Sequence, residues 1–262
     1  MPAAYTHYRF GRDVLPLLPP ETRQIIAARR ALYDLGLHGP DPFFFYRQPF
    51  DNAVSRLGHS LHRQTGGTVL RRMAALWEKQ PTDAGLSYLY GFLCHFALDS
   101  ACHGYVGQME RLGVGHSILE TQLDRAFLVE DRLDPTRVNP VGHLQPTAEH
   151  ARIIAAFFPQ LTEREVEESC KSMVRVQQLL LPSSTAKRKL LQGSTRLLKL
   201  DFVAGMVMPE RESVACRQMV THLRALYNEA LPVAASLIQD FPRLESDRYL
   251  WNFEGELEEK TE

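Results

Sequence analysis

The largely apolar and aromatic stretch Tyr88–Glu120 (YLYGFLCHFALDSACHGYVGQMERLGVGHSILE) carries His95, Asp99, His103, His116 and Glu120. An apolar helix rarely accepts so many ionisable groups unless something inside pairs them. Four-residue spacing puts His95, Asp99 and His103 on one helical stripe, and His116 and Glu120 repeat that spacing on the next helix. Adjacent turns of one face can hold a metal with two ligands. A lone buried histidine is more often a hydrogen-bonded core residue. Five such groups at helical spacing point instead to the floor of a site for more than one metal.

Helical rise apportions the ligands. Eight residues rise about 12 Å, too far for His95 and His103 to share one ion easily. His95 with Asp99 is therefore expected at one metal, and His103 with His116 and Glu120 at another. Imidazole and carboxylate without thiolate suit zinc at a hydrolytic site. Two such ions about 3.5–4 Å apart are a device for phosphoryl displacement.

The elements that must position these residues read as helices nearly throughout. Asn-Gly and Asp-Gly hairpin signals are absent, and few segments alternate with period two. The expected helices are His7–Leu18, Glu21–Leu37, Asp51–His62, Thr68–Lys79, a long one capped by Asp83, and one from His116 to about Glu130. Further helices are expected at Thr147–Phe158, Thr162–Leu180, Ser184–Leu198 and from about Glu212 to Asp240, with Thr162-x-x-Glu165 as a capping box. Gly113 and Gly115 make the turn before His116. HGPDPFFFYRQPF reads as a loop in which Asp41 sits between two prolines. Phe43, Phe44 and Phe45 are expected to plug the core; the alternative is that some line a pocket. Asp131–Pro146 reads as an irregular segment beside the site, with His143 exposed to solvent. Asp124 is expected either to hold a ligand histidine or to pair with Arg125 or another cation. The basic segment KRKLLQGSTRLLK reads as a solvated face over core leucines, and FEGELEEKTE as a frayed acidic tail.

Composition bounds the rest. The chain has 262 residues, 44% hydrophobic and 23% charged, and no run long and apolar enough for a membrane span. It is read as a single all-α multi-helix domain over 1–262. The metal site is expected within 6–130, with helices of 147–250 packed around it. A formal net charge of −1 gives no general pull toward nucleic acid, which is not the expected partner. The four cysteines form no CxxC pair, and no secretory signal opens the sequence. A cytoplasmic location is expected from both. Oligomeric state is not legible.

Taken in order, His7, Asp41, Gly58-x-x-x-His62, His95-x-x-x-Asp99, His103 and His116-x-x-x-Glu120 resemble the zinc-dependent phospholipase C family, whose fold is shared with single-strand-specific zinc nucleases. THYRFGRDVLPLLP, GPDPFFF and YLYGFLCHFALDSACHGYV are similar to segments of its bacterial cytosolic-type members. The resemblance runs over roughly residues 6–130. It implies an all-α fold and a role for Asp41 as a bridging carboxylate that also activates the attacking water. His62, His95 and Asp99 resemble ligands of a first zinc, and His103, His116 and Glu120 those of a second. His7 resembles a ligand of a third, to which Asp99 contributes. Secreted members offer an N-terminal Trp to that third ion, where this chain reads Met-Pro-Ala-Ala. Two zinc ions are therefore expected, with three as the alternative. His59 is a second candidate in GHSLH, but the family pattern places histidine four after glycine and favours His62. The implied activity is hydrolysis of a phosphate ester, with phospholipid as substrate and a metal-activated water as nucleophile. The alternatives are a nuclease of the same superfamily and a non-catalytic helical binding protein with structural metals.

Overall fold

The stretch that carries His95 is part of one 29-residue helix, Asp83–Arg111, in which every residue from Ser87 to Ser100 is buried. A helix that is apolar all round has no solvent face, so other helices must surround it. They do so in the computed structural model, which describes residues 4–197 and 200–257 save the side chains of Gln192 and Arg196. In chain order the helices are α1 (Ala4–Val14), α2 (Pro20–Ala28), α3 (Arg30–Gly36), α4 (Ala53–Arg63), α5 (Gly66–Lys79), α6 (Asp83–Arg111), α7 (His116–Glu130), α8 (Ala148–Ala155), α9 (Glu163–Leu180), α10 (Thr185–Leu197), α11 (Asp201–Gly205) and α12 (Arg217–Asp240). No strand occurs among the described residues, and the fold is all-α as expected. Two isolated antiparallel bridges, Thr65–Asn252 and Trp251–Leu257, fasten the C-terminal segment.

The broadest contacts of α6 are with α3 and α12, and α1, α2, α5, α7 and α8 complete its jacket. The crossing of α3 over α6 depends on two glycines. A Cβ on Gly36 would lie 2.2 Å from the Tyr88 carbonyl oxygen, and one on Gly91 would lie 2.2 Å from that of Tyr33. Backbone therefore packs on backbone, which brings the loop after α3 down onto the middle of α6. That loop carries Asp41.

Side-chain caps set several helix starts. Thr82 accepts from the Gly85 N–H at the head of α6. Thr162 and Glu165 form the expected capping box on α9, and Asn52 with Ser55 forms another on α4. The cap of α6 is thus Thr82, and Asp83, expected in that role, is the first helical residue.

Three other expectations are corrected, and one helix is added. The helix expected over Glu21–Leu37 breaks at Arg29, whose φ of −131° and ψ of 37° redirect the chain so that α3 can lie on α6. The Arg29 carbonyl also accepts from Ser87 Oγ at 3.1 Å, which pins the break to the central helix. Helix α11 had no sequence forecast; its five residues sit on the first turn of α7, where the Phe202 carbonyl accepts from Ser117 Oγ at 2.9 Å. The basic helix α10 does not bury all its leucines: Leu191 packs against the core, while Leu190 is 70% and Leu197 82% exposed. Nor is the acidic tail frayed over its described part, because Phe253 is wholly buried; 258–262 lie outside the described residues.

Candidate metal centre

Asp41, His62, His95 and Asp99 converge although they come from three elements. Asp41 opens a short 3-10 turn, Asp41–Phe45, just after the α3 crossing. His62 comes from the last turn of α4, and His95 and Asp99 from successive turns of α6. The ligand atoms of these four residues all lie within 4.8 Å of one another, and all four side chains are buried. His62 Nδ1 meets the Gly58 carbonyl at 2.9 Å, which holds the ring as the tautomer with Nε2 free for a metal. His62 Nε2 then stands 3.1 Å from Asp41 Oδ1, and His95 Nε2 3.1 Å from Asp99 Oδ2. His59 is largely exposed, so His62 is the histidine of this motif that reaches the interior.

His103, His116 and Glu120 form a second set, also within 4.8 Å. Glu120 Oε1 is 3.3 Å from His103 Nε2 and 3.3 Å from His116 Nε2. His103 Nδ1 donates to the Phe253 carbonyl at 3.0 Å, which again leaves Nε2 facing inward. His116 Nδ1 lies 3.5 Å from Glu110 on the preceding helix. With 21% of its side chain exposed, His116 is the most accessible of the candidate ligands, so the centre is nearest to solvent there. Gly113, at φ +89°, supplies the left-handed turn that swings α7 back against α6.

Asp99 joins the two sets. Its Oδ2 is 3.7 Å from His103 Nδ1, and its Oδ1 is 3.2 Å from His7 Nε2. The His7 ring stacks on His95 at 4.6 Å. A small cavity is lined by His7, Asp99, His103 and Glu120, together with apolar residues of α6, α7 and α12. His7 therefore adjoins the four-residue set without belonging to either close group.

The charges are poised for exchange with a cation. Burial alone would strip His103 of its proton, but Asp99 and Glu120 outweigh it and raise the ring to about 10. His62 and His7 rise for the same reason, through Asp41 and Asp99 respectively. Asp99 is held well below the ordinary carboxylate range despite its burial, chiefly by His103, His95 and His7. His95 is the exception: burial outweighs its acids and lowers the ring below its ordinary value. Among the described residues, no lysine or arginine lies within 4 Å of the Asp41, Asp99 or Glu120 carboxylates.

Several surrounding residues depart from expectation or escaped it. Phe43 and Phe45 plug the core, and Phe44 is half-buried against it, 5.0 Å from the His62 ring. His143 is not free in solvent: its Nε2 lies 3.0 Å from His38 Nε2, in an N–H···N bond, and its ring stacks on Tyr8 at 4.0 Å. Burial lowers both rings, His143 to about 3, so both are neutral. That pair fastens the 131–146 segment beside His7. No local pattern marks His38. Asp124 meets neither a ligand histidine nor Arg125; it accepts from the Tyr5 and Thr6 N–H groups and the Thr6 hydroxyl, and so anchors the start of α1 and the approach of His7. Phe253 was also missed. Its N–H donates to the His62 carbonyl at 3.2 Å, its carbonyl accepts from His103 Nδ1, and its ring packs against His62 and His95.

The residues present fit zinc. Asp41 Oδ1, His62 Nε2, His95 Nε2, Asp99 Oδ2 and Glu120 Oε2 are buried without a hydrogen bond, although Asp41 Oδ1 stands 3.1 Å from His62 Nε2 and Asp99 Oδ2 3.1 Å from His95 Nε2. Buried polar atoms left unbonded are costly, and buried carboxylates more so. Oxygen and imidazole donors aimed at shared points are what a borderline-soft divalent ion takes. Residues 6–175 match a family model described as zinc dependent phospholipase C. Comparison with curated proteins and with solved structures gives no match. The family match contains all eight candidate ligands and stops well before Phe253.

Proposed function

The chain belongs to the zinc-dependent phospholipase C family, and from that premise we propose that it hydrolyses phosphate esters, with phospholipid as the substrate class. The observation that carries this reading is the set of orphaned donor atoms on Asp41, His62, His95, Asp99 and Glu120. In our reading His62, His95, Asp99 and Asp41 hold one zinc, and His103, His116 and Glu120 hold a second. His7 with Asp99 supplies part of a third position. We read the chain as one domain, with α12 and the Phe253 segment completing the centre.

Zinc, when bound, supplies positive charge to phosphoryl oxygens and acidifies water to a pKa of about 7. The protein's own residues do the rest. Asp41 orients the attacking water and takes its proton. The hydrogen bonds from His62 to Gly58 and from His103 to Phe253 fix which nitrogen faces inward. Phe44, beside His62, offers an apolar wall to the ester's organic group. Phosphoryl transfer needs mostly positioning and electrostatics, so no side-chain nucleophile is required.

The test is Asp41→Asn. Hydrolysis of a chromogenic phosphodiester should fall by about 10²–10⁴-fold while fold and most of the zinc are retained. A wild-type protein that, loaded with zinc, cleaves neither phospholipid, nucleotide nor chromogenic ester would end the enzyme reading. Cleavage of single-stranded nucleic acid in preference to lipid would move the substrate class to the nuclease side of the superfamily.

A further inference from the structure

Helix α10 turns two of its leucines to solvent. Its solvent face carries Ala186, Leu190, Gly193 and Leu197, which fall within one helical stripe, and Leu190 and Leu197 are its two most exposed apolar residues. The face turned toward the protein carries Leu191, which packs against the core, Thr195, which is buried, and Arg188, which pairs with Glu210 at 2.6 Å. An ordinary surface helix keeps its leucines on the inward face. The apolar strip does not end with the helix. Leu200 and Phe202 are exposed, α11 packs on α7, and exposed Ile118 stands two residues after His116, where the metal centre is nearest to solvent. Gly205 of α11 approaches Ser117 and Ile118 so closely that a Cβ there would lie 2.1 Å from Ser117 Oγ.

Charge accompanies the apolar strip. Between 184 and 202 the sequence carries Lys187, Arg188, Lys189, Arg196 and Lys199 against one acid, Asp201, in a chain whose net charge is −1. Exposed leucines beside exposed Lys189, in a segment of net positive charge, match an anionic bilayer, which accepts apolar side chains between headgroups and attracts the cations around them. A second copy of the chain is a poorer occupant, because a two-fold interface would set two identical basic faces against each other.

We infer that α10, with Leu200 and Phe202, is a docking surface for anionic phospholipid membranes that brings the His116 side of the metal centre toward the lipid. The inference deepens the phosphate-ester reading and rests on it only for lipid being the substrate. This surface lies beyond the family match, which ends at residue 175.

Sedimentation of the full chain with vesicles of phosphatidylcholine, with and without phosphatidylserine, tests it in chelator, where no hydrolysis occurs. The wild type should bind the anionic vesicles about tenfold more tightly than the neutral ones, and lose that preference in high salt. Leu190→Glu combined with Leu197→Glu should weaken binding by about tenfold or more, and Lys187→Gln with Lys189→Gln by about tenfold. Both variants should melt like the wild type and, reloaded with zinc, cleave a soluble chromogenic ester at the wild-type rate. Failure of the wild type to bind, or variants that bind equally well, would overturn the inference. So would a wild-type dimer that Leu190→Glu dissociates while no vesicle binding is seen. If vesicles are bound and the variants lose them but no ester is cleaved, docking stands and the hydrolase reading fails. If the ester is cleaved and vesicles are ignored, the reverse holds.

Discussion

Phe253→Ala separates a site completed by the C-terminal segment from one made by residues 6–175 alone. Phe253 is wholly buried, and its ring contacts His62, His95, Phe92 and Phe96. Truncating a buried phenylalanine removes its transfer free energy and leaves a cavity, together about 3–5 kcal/mol. Against a total stability of about 5–15 kcal/mol this is a large fraction, and it should lower the melting temperature by about 10 °C. The second effect is on the metals. The Phe253 carbonyl fixes the His103 tautomer, and its N–H holds the α4 end beneath His62. Phe253→Ala keeps both main-chain groups but removes the ring that seats them, and displacing such a supporting partner lowers metal affinity by about 10–100-fold. Urea unfolding of the metal-free protein reads the first effect, and zinc titration against a competing chelator the second. Phe253→Leu should recover most of the stability and much of the affinity. If Phe253→Ala costs under about 1 kcal/mol and binds zinc as the wild type does, the C-terminal segment is no part of the site.

Three further outcomes follow from the same geometry. Gly39 has φ +48°, and a Cβ there would lie 2.1 Å from His95 Cδ2, so Gly39→Ala should displace His95 and cost the protein one zinc by elemental analysis. Gly193 lies inside α10 with nothing within 4 Å of its Cβ position, so Gly193→Ala should stabilise by about 0.5–1 kcal/mol in urea unfolding. In the metal-free protein His103 is raised to about 10, so at pH 7 it carries a proton that zinc must displace. Zinc binding should therefore release protons, measurable as a buffer-dependent heat, and apparent affinity should rise with pH by about tenfold per unit for each proton displaced. The sign for stability is opposite. A raised imidazole stabilises the metal-free fold fully below its ordinary value of 6.5, and that contribution fades as pH climbs toward about 10.

The candidate ligands were legible because they stand out locally. His95, Asp99 and His103 repeat at four-residue intervals inside an apolar run, and the same rise that spaced them divided them between two groups. The all-α fold was legible from the same periodicity. What escaped depends on contacts with no local period. Phe253 meets His103 across 150 positions, and His38 meets His143 across 105. No window of sequence holds either pair. The Arg29 break is a tertiary override, since α2 and α3 read as one helix until Gly36 and Gly91 draw the second half onto α6. Asp124 was misread because a carboxylate four residues after Glu120 invites a metal role, whereas the start of α1 lies within its reach. In α10, consecutive leucines cannot both face inward, and composition does not say which one turns out.

Anomalous scattering at the zinc edge, from crystals of protein grown with zinc, tests the central claim most directly because it counts and places the ions together. The account predicts one peak among Asp41, His62, His95 and Asp99, and another among His103, His116 and Glu120. Zinc-saturated crystals with no peak at either position, and these side chains hydrogen-bonded to ordinary neighbours, would contradict it.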